Sequence, residues 1–130
     1  MQALHAASQA RFATQLATEL AAAYPDWRYA APATAVPVVT DMVQALVDRG
    51  ITREIDHRGV ITASARTDLP WPWPAPAFAV LDAFGRSAAW RSERFVIDAD
   101  TGTWRTILIT LHTNVPELLD SIDARAGGDE

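Results

Sequence analysis

Apolar residues recur at helical spacing along the first part of the chain. Phe12, Leu16 and Leu20 fall every four residues, and Ala13, Ala17 and Tyr24 widen the stripe. This predicts an amphipathic helix over 5–24, closed by Pro25. After a loop over 25–34 that lays Trp27 and Tyr29 across the edge of the core, Thr34 is placed to cap a second helix. Pro37 sits in its first turn, Gly50 marks its C-terminal end, and Val36, Val39, Val43, Leu46 and Val47 form the inward stripe.

From residue 51 the pattern reads as period two. Residues 51–56 and 60–65 predict two strands joined by His57-Arg58-Gly59, with Gly59 supplying a positive φ. Pro76 then opens a short helix through Phe78, Leu81 and Phe84, stopped by Gly85. A second hairpin over 94–99 and 104–113 turns at Asp100-Thr101-Gly102, with Ile107, Ile109 and Leu111 alternating with Thr106 and Thr110. Asn114 caps a last helix with Pro116 in its first turn, Glu117 at the capping-box position, and Leu118, Leu119 and Ile122 inward. The order α-α-β-β-α-β-β-α predicts an α+β fold. Its four-stranded, mostly antiparallel sheet consists of two hairpins, with helices packed on one face. One domain spans 1–126, and 127–130 form a flexible acidic tail.

Between the two helix-hairpin units lies the most specific stretch of the chain. Pro70, Pro72, Pro74 and Pro76 alternate with Trp71, Trp73 and Ala75. Each proline fixes its own φ and pushes the preceding residue toward extended geometry, so the run is stiff and neither helix nor central strand. It carries two indoles on a backbone that loses little entropy on ordering. Such a segment clamps the protein's own core or presents rigid aromatic anchors to a partner. On the second reading Trp71, Trp73, Phe78, Trp90 and Trp104 form a protein interface, since large aromatics dominate binding hot spots.

Composition narrows the classes. The 130 residues are enough for one core without staples, and no apolar run approaches a membrane span. The absence of cysteine excludes disulfides, thiolate nucleophiles and cysteine-containing zinc sites. The first cation is Arg11, no basic and apolar leader precedes it, and the chain reads as cytoplasmic with no signal peptide. All eleven cations are arginine, in keeping with GC-rich bacterial codon usage. Net charge is −5. Residues 49–105 hold eight arginines against seven acids, while the flanks hold three against nine. An acidic chain is a poor general phosphate binder.

Motifs for chemistry are sparse. Asp98, Asp100 and Gly102 evoke a calcium loop, but the glycine comes one residue early and the twelfth position is Ile109 rather than glutamate. The same stretch falls one residue short of a sialidase-type Asp-box, and a hairpin turn accounts for it. His57, between Asp56 and Arg58, is expected to be exposed at a hairpin tip with no nucleophile at identifiable spacing. His5 and His112 are isolated, Ser64 has no elbow glycines, and no glycine-rich loop cradles a phosphate. No catalytic residue, metal or cofactor is assigned.

The leading expectation is therefore a non-enzymatic protein-binding module. It could act as an acidic immunity or antitoxin protein against a basic toxin, as an escort for a secreted effector, or as a phage or secretion structural component. Type III secretion chaperones are similar in size, acidity and mixed α/β order. A homodimer would use the same surfaces. The alternative starts from Leu46-Val47-Asp48-Arg49-Gly50-Ile51 followed by a hairpin at Asp56-His57-Arg58-Gly59. This resembles the recognition helix and wing of MarR- or ArsR-like winged-helix regulators. The resemblance implies DNA contacts at Gln44, Arg49, Arg53 and Arg58. It ranks second because Asp41 and Asp48 ride on the same helix, where phosphates would be repelled.

Overall fold

A computed structural model describes residues 2–104, with side chains from residue 7 onward. Helix α1 runs Gln2–Ala23, α2 Pro32–Asp48, α3 Glu54–Arg66, α4 Ala75–Leu81 and α5 Ala88–Asp100. The described residues contain no strand. The α+β expectation and its four-stranded sheet are thus overturned: the described chain is all-helical. The predicted strands at 51–56, 60–65 and 94–99 fall largely in α3 and α5. The strand at 104–113, apart from Trp104, and the helix after Asn114 lie outside the described residues.

Physical reasons for the helices are visible in the buried positions. In α3 the inward residues include His57, Val60, Ile61 and Ser64, a 3-4 spacing that only a helix places on one face. Glu54 and Asp56 stand in its first turn and Arg66 in its last, each stabilised by the helix dipole. Gly59 lies inside this helix and not in a turn. In α5 the inward positions are Ser92, Phe95, Asp98 and Ala99, whereas Ile97 points to solvent. Ser87 caps α5, its Oγ accepting from the Trp90 backbone N–H at 3.1 Å. The Asp100-Thr101-Gly102 turn is the end of this helix, with Gly102 at φ +74° just beyond its C-cap.

The ends of α2 and α3 share one device. Ile51 N–H reaches Leu46 C=O at 3.0 Å and Gly50 N–H reaches Val47 C=O at 2.9 Å, with Gly50 at φ +76°. This is a Schellman cap. At α3, Leu69 N–H bonds Ser64 C=O and Asp68 N–H bonds Ala65 C=O, with Asp68 in the glycine-like place at φ 54°. Aspartate enters that region more readily than most residues, and here its side chain is held by a residue distant in sequence. The Asp68 carboxylate accepts from Arg28 N–H at 2.9 Å, and Arg28 Nη2 donates to Asp68 C=O at 2.9 Å.

Helices α1 and α2 pack as a hairpin, while α5 lies against α3 and α4. Their shared core holds Leu16, Val39, Met42, Leu46, Ile51, Ile61, Leu81 and Phe95. Arg91 ties three elements together. Its Nη1 donates to Leu81 C=O at the end of α4 (2.8 Å) and to Arg49 C=O at the C-cap of α2 (2.9 Å).

The proline-rich run is the ordered loop between α3 and α4, with a cis peptide bond between Trp71 and Pro72. Trp73 is 3% exposed, and its Nε1 donates to Ser64 Oγ at 2.9 Å. Ser64 in turn donates to Val60 C=O at 2.9 Å, so this fully buried hydroxyl is satisfied. The Tyr29 hydroxyl accepts from Trp71 N–H at 2.7 Å and donates to Trp71 C=O at 3.2 Å. Edge-to-face contacts continue inward from Trp71 to Trp73 (4.8 Å), Phe95 (5.1 Å) and Trp104 (4.5 Å). The stiff segment acts as a clamp over the core.

Candidate functional site: the outer face of helices α3 and α5

Among the described residues, the large apolar side chains left exposed are Ile55, Phe84, Trp90 and Ile97. Three of them fall between residues 84 and 97, and Ile55 stands in the first turn of α3, the helix packed beside α5. Trp90 and Ile97 are seven residues apart on α5, so they share one face about 10 Å apart along the axis. Ile97 is 52% exposed and Ile55 72%, and the two line one hollow of about 400 Å³ between the helices. Its lining also includes Gly59, Ala89, Ser92 and Val96. A second hollow of about 530 Å³, toward α1, shares Ile55, Gly59 and Val96. Ile55 is therefore a ridge between two furrows.

Four arginines on this face hold acids of the same chain, while Glu93, exposed at the first hollow, forms no ion pair among the described residues. Arg53 holds Asp56 in a two-pronged pair (2.9 and 3.1 Å), and that pair together with nearby Glu93 pushes the guanidinium above its ordinary range. Arg58 binds Glu19 at 2.7 Å, holding that carboxyl below its usual range chiefly through this hydrogen bond. Arg66 pairs with Asp100 at 2.6 Å, and Arg94 with Asp98 at 3.2 Å. At the other end of the face, Arg86 stacks on the Trp90 ring at 4.6 Å, and Phe84 is fully exposed at the tip of the α4–α5 loop. Ser92 Oγ is buried at the floor of the first hollow and has no hydrogen-bond partner among the described residues.

The predicted interface residues separate. Trp73 and Trp104 are buried; Trp71 and Phe78 are half-buried in the aromatic cluster; Trp90 alone of the five stands exposed. The residues of the DNA-binding alternative do not converge. Gln44 bonds Asp48 on α2 at 2.8 Å, and Arg49 pairs with Asp82 at 2.9 Å over the Phe78 ring. Arg53 and Arg58 are spent on the pairs above, and the predicted wing hairpin at 51–65 is α3 instead. His57, expected exposed, is buried. Its Nε2 lies 2.6 Å from Ile51 C=O and must carry the proton it donates there. Among the described residues no three His, Asp or Glu side chains gather as a metal site, and no helix is long and apolar enough to cross a membrane.

Sequence reasoning passed over Ile55, Ile97 and Phe84. Ile97 falls within the expected strand at 94–99; the signal for its exposed helical position is the seven-residue spacing from Trp90. Comparison with family models, curated proteins and solved structures found no match to this chain.

Proposed function

We propose that this chain is a non-catalytic protein-binding module that docks through the outer face of α3 and α5. The observation that carries this reading is the placement of the exposed large apolar residues, with Ile55, Trp90 and Ile97 on two packed helices and Phe84 on the loop leading into α5. Scattered single apolar residues need no explanation, but a hollow walled by two exposed isoleucines marks a surface built to be covered. Trp90 stacked with Arg86 adds the residue types that dominate hot spots. In quantitative affinity capture from the native host, replacing Ile97 by glutamate should remove the specifically retained proteins and leave the melting temperature unchanged. Retention of the same proteins by the variant would refute the assignment.

A further inference from the structure

Resting on that docking face, we infer that the partner segment it receives is basic: a lysine or arginine set among large apolar residues, its alkyl stem in the first hollow and its charged head on Glu93. The walls of the hollow are apolar, with Ile55, Ala89, Val96 and Ile97 around it and Gly59 leaving room beside Val96. Its charged lining is uneven. Arg53 and Asp56 neutralise each other through their two-pronged pair, which leaves Glu93 as the uncompensated charge. On α5, Glu93 stands four residues from both Ala89 and Ile97 and three from both Trp90 and Val96. Residues at those spacings share one helix face, so the carboxylate lies among the apolar groups rather than at their margin.

A long basic side chain suits both parts of this lining. Lysine and arginine bury their methylene stems along apolar surface and keep the head group polar. The head carries several N–H donors, enough to bond the Glu93 carboxylate and to donate to Ser92 Oγ as well. That hydroxyl is buried at the floor of the hollow and has no hydrogen-bond partner among the described residues. A purely apolar side chain would fill the hollow, leave Ser92 unmet and cover Glu93 without a counter-charge, which is costly. An acidic side chain would set like charges together. Arg86, the cation of this face that holds no acid among the described residues, lies over the Trp90 ring and does not line the hollow. The net charge of −5 adds long-range attraction for a basic partner.

The test selects a phage-displayed library of random peptides on the full chain. Enriched sequences should carry lysine or arginine within a helical turn of large apolar residues, and the same selection on Glu93→Lys should place aspartate or glutamate there. The most enriched peptide, labelled with fluorescein, is then titrated by fluorescence anisotropy. Glu93→Gln should weaken it about tenfold and Ile97→Glu about 100-fold, with far-UV ellipticity unchanged in both. Asp41→Asn removes the same charge from the exposed side of α2 and should bind as the wild type does. Equal weakening by Asp41→Asn and Glu93→Gln would reduce the effect to net charge and overturn the inference. So would the absence of an enriched family. With p-benzoylphenylalanine at position 97, the peptide should be captured; a cross-link instead to a second copy, or to residues 105–130 of the same chain, would also overturn it. If the enriched peptides lack a cation yet still lose binding to Ile97→Glu, only the chemistry of the occupant has failed. If Ile97→Glu leaves the peptide bound, the docking face itself has failed.

Discussion

Replacing Gly59 by alanine asks a question whose answer is a sign. Gly59 lies inside α3, and a Cβ built on it would sit 3.8 Å from Val96 Cγ2, an ordinary van der Waals contact. Nothing must move to admit the methyl. Glycine in a helix interior costs about 0.8–1.0 kcal/mol relative to alanine, because its backbone loses more freedom on folding. The new contact adds roughly 0.1–0.2 kcal/mol. Gly59→Ala should therefore stabilise the fold by about 1 kcal/mol and raise the melting temperature by about 3–5 °C. Were residue 59 a hairpin turn with positive φ, the same methyl would destabilise by about 1 kcal/mol or more. Gly50→Ala is the internal control. That residue sits at φ +76° with nothing within 4 Å of the added Cβ, so strain alone should cost about 1 kcal/mol. Urea unfolding followed by far-UV ellipticity, repeated over a range of protein concentrations, measures both. A destabilised Gly59→Ala, or a neutral Gly50→Ala, would refute the reasoning.

Trp73→Ala should cost about 3–5 kcal/mol in unfolding free energy, because it empties the centre of the aromatic series and removes the Ser64 hydrogen bond. A near-wild-type urea midpoint would return Trp73 to the surface. Arg91→Ala should lose about 2–3 kcal/mol by freeing the Leu81 and Arg49 carbonyls, and Arg91→Lys should rescue only part of it, since an ammonium lacks the guanidinium's reach and fork. Tyr29→Phe should cost about 1–2 kcal/mol, read in the same urea titration, through the unmade bond to Trp71 N–H. The Glu19 carboxyl, lowered by Arg58, contributes stability that is present above its unfolded value and lost as pH falls through its folded one. Arg58→Ala should move the NMR titration midpoint of Glu19 upward; an unmoved midpoint would deny the pairing.

Three helices were legible because their stripes and stops agree. Phe12, Leu16 and Leu20 before Pro25 place α1; the valine stripe before Gly50 places α2, which starts at Pro32, ahead of the expected cap Thr34; and Pro76 opens α4, which ends at Leu81, short of the expected Phe84. Helices α3 and α5 were not. Ile51, Thr52, Ile55, Val60, Ile61 and Thr62 are β-branched, and that local preference for strands lost to the packing of His57, Val60, Ile61 and Ser64 on one face. In α5, Phe95, Ile97 and Ala99 alternate by accident, with Ile97 outward and Phe95 and Ala99 inward; Ser87, three residues before Trp90, was the overlooked start signal. The stiffness of the proline-rich loop followed from composition. Whether Trp73 faced inward depended on Ser64, nine residues away on a helix that looked like a strand.

The indoles of Trp71 and Trp73 cross at 90° with their centres 4.8 Å apart. At that distance their electronic transitions mix, and the pair should produce an exciton couplet superposed on the helical ellipticity. Helix content deconvoluted from the far-ultraviolet spectrum will then be in error unless the couplet is subtracted. The same couplet, abolished in Trp71→Phe, is a built-in optical gauge of whether the loop between α3 and α4 is seated.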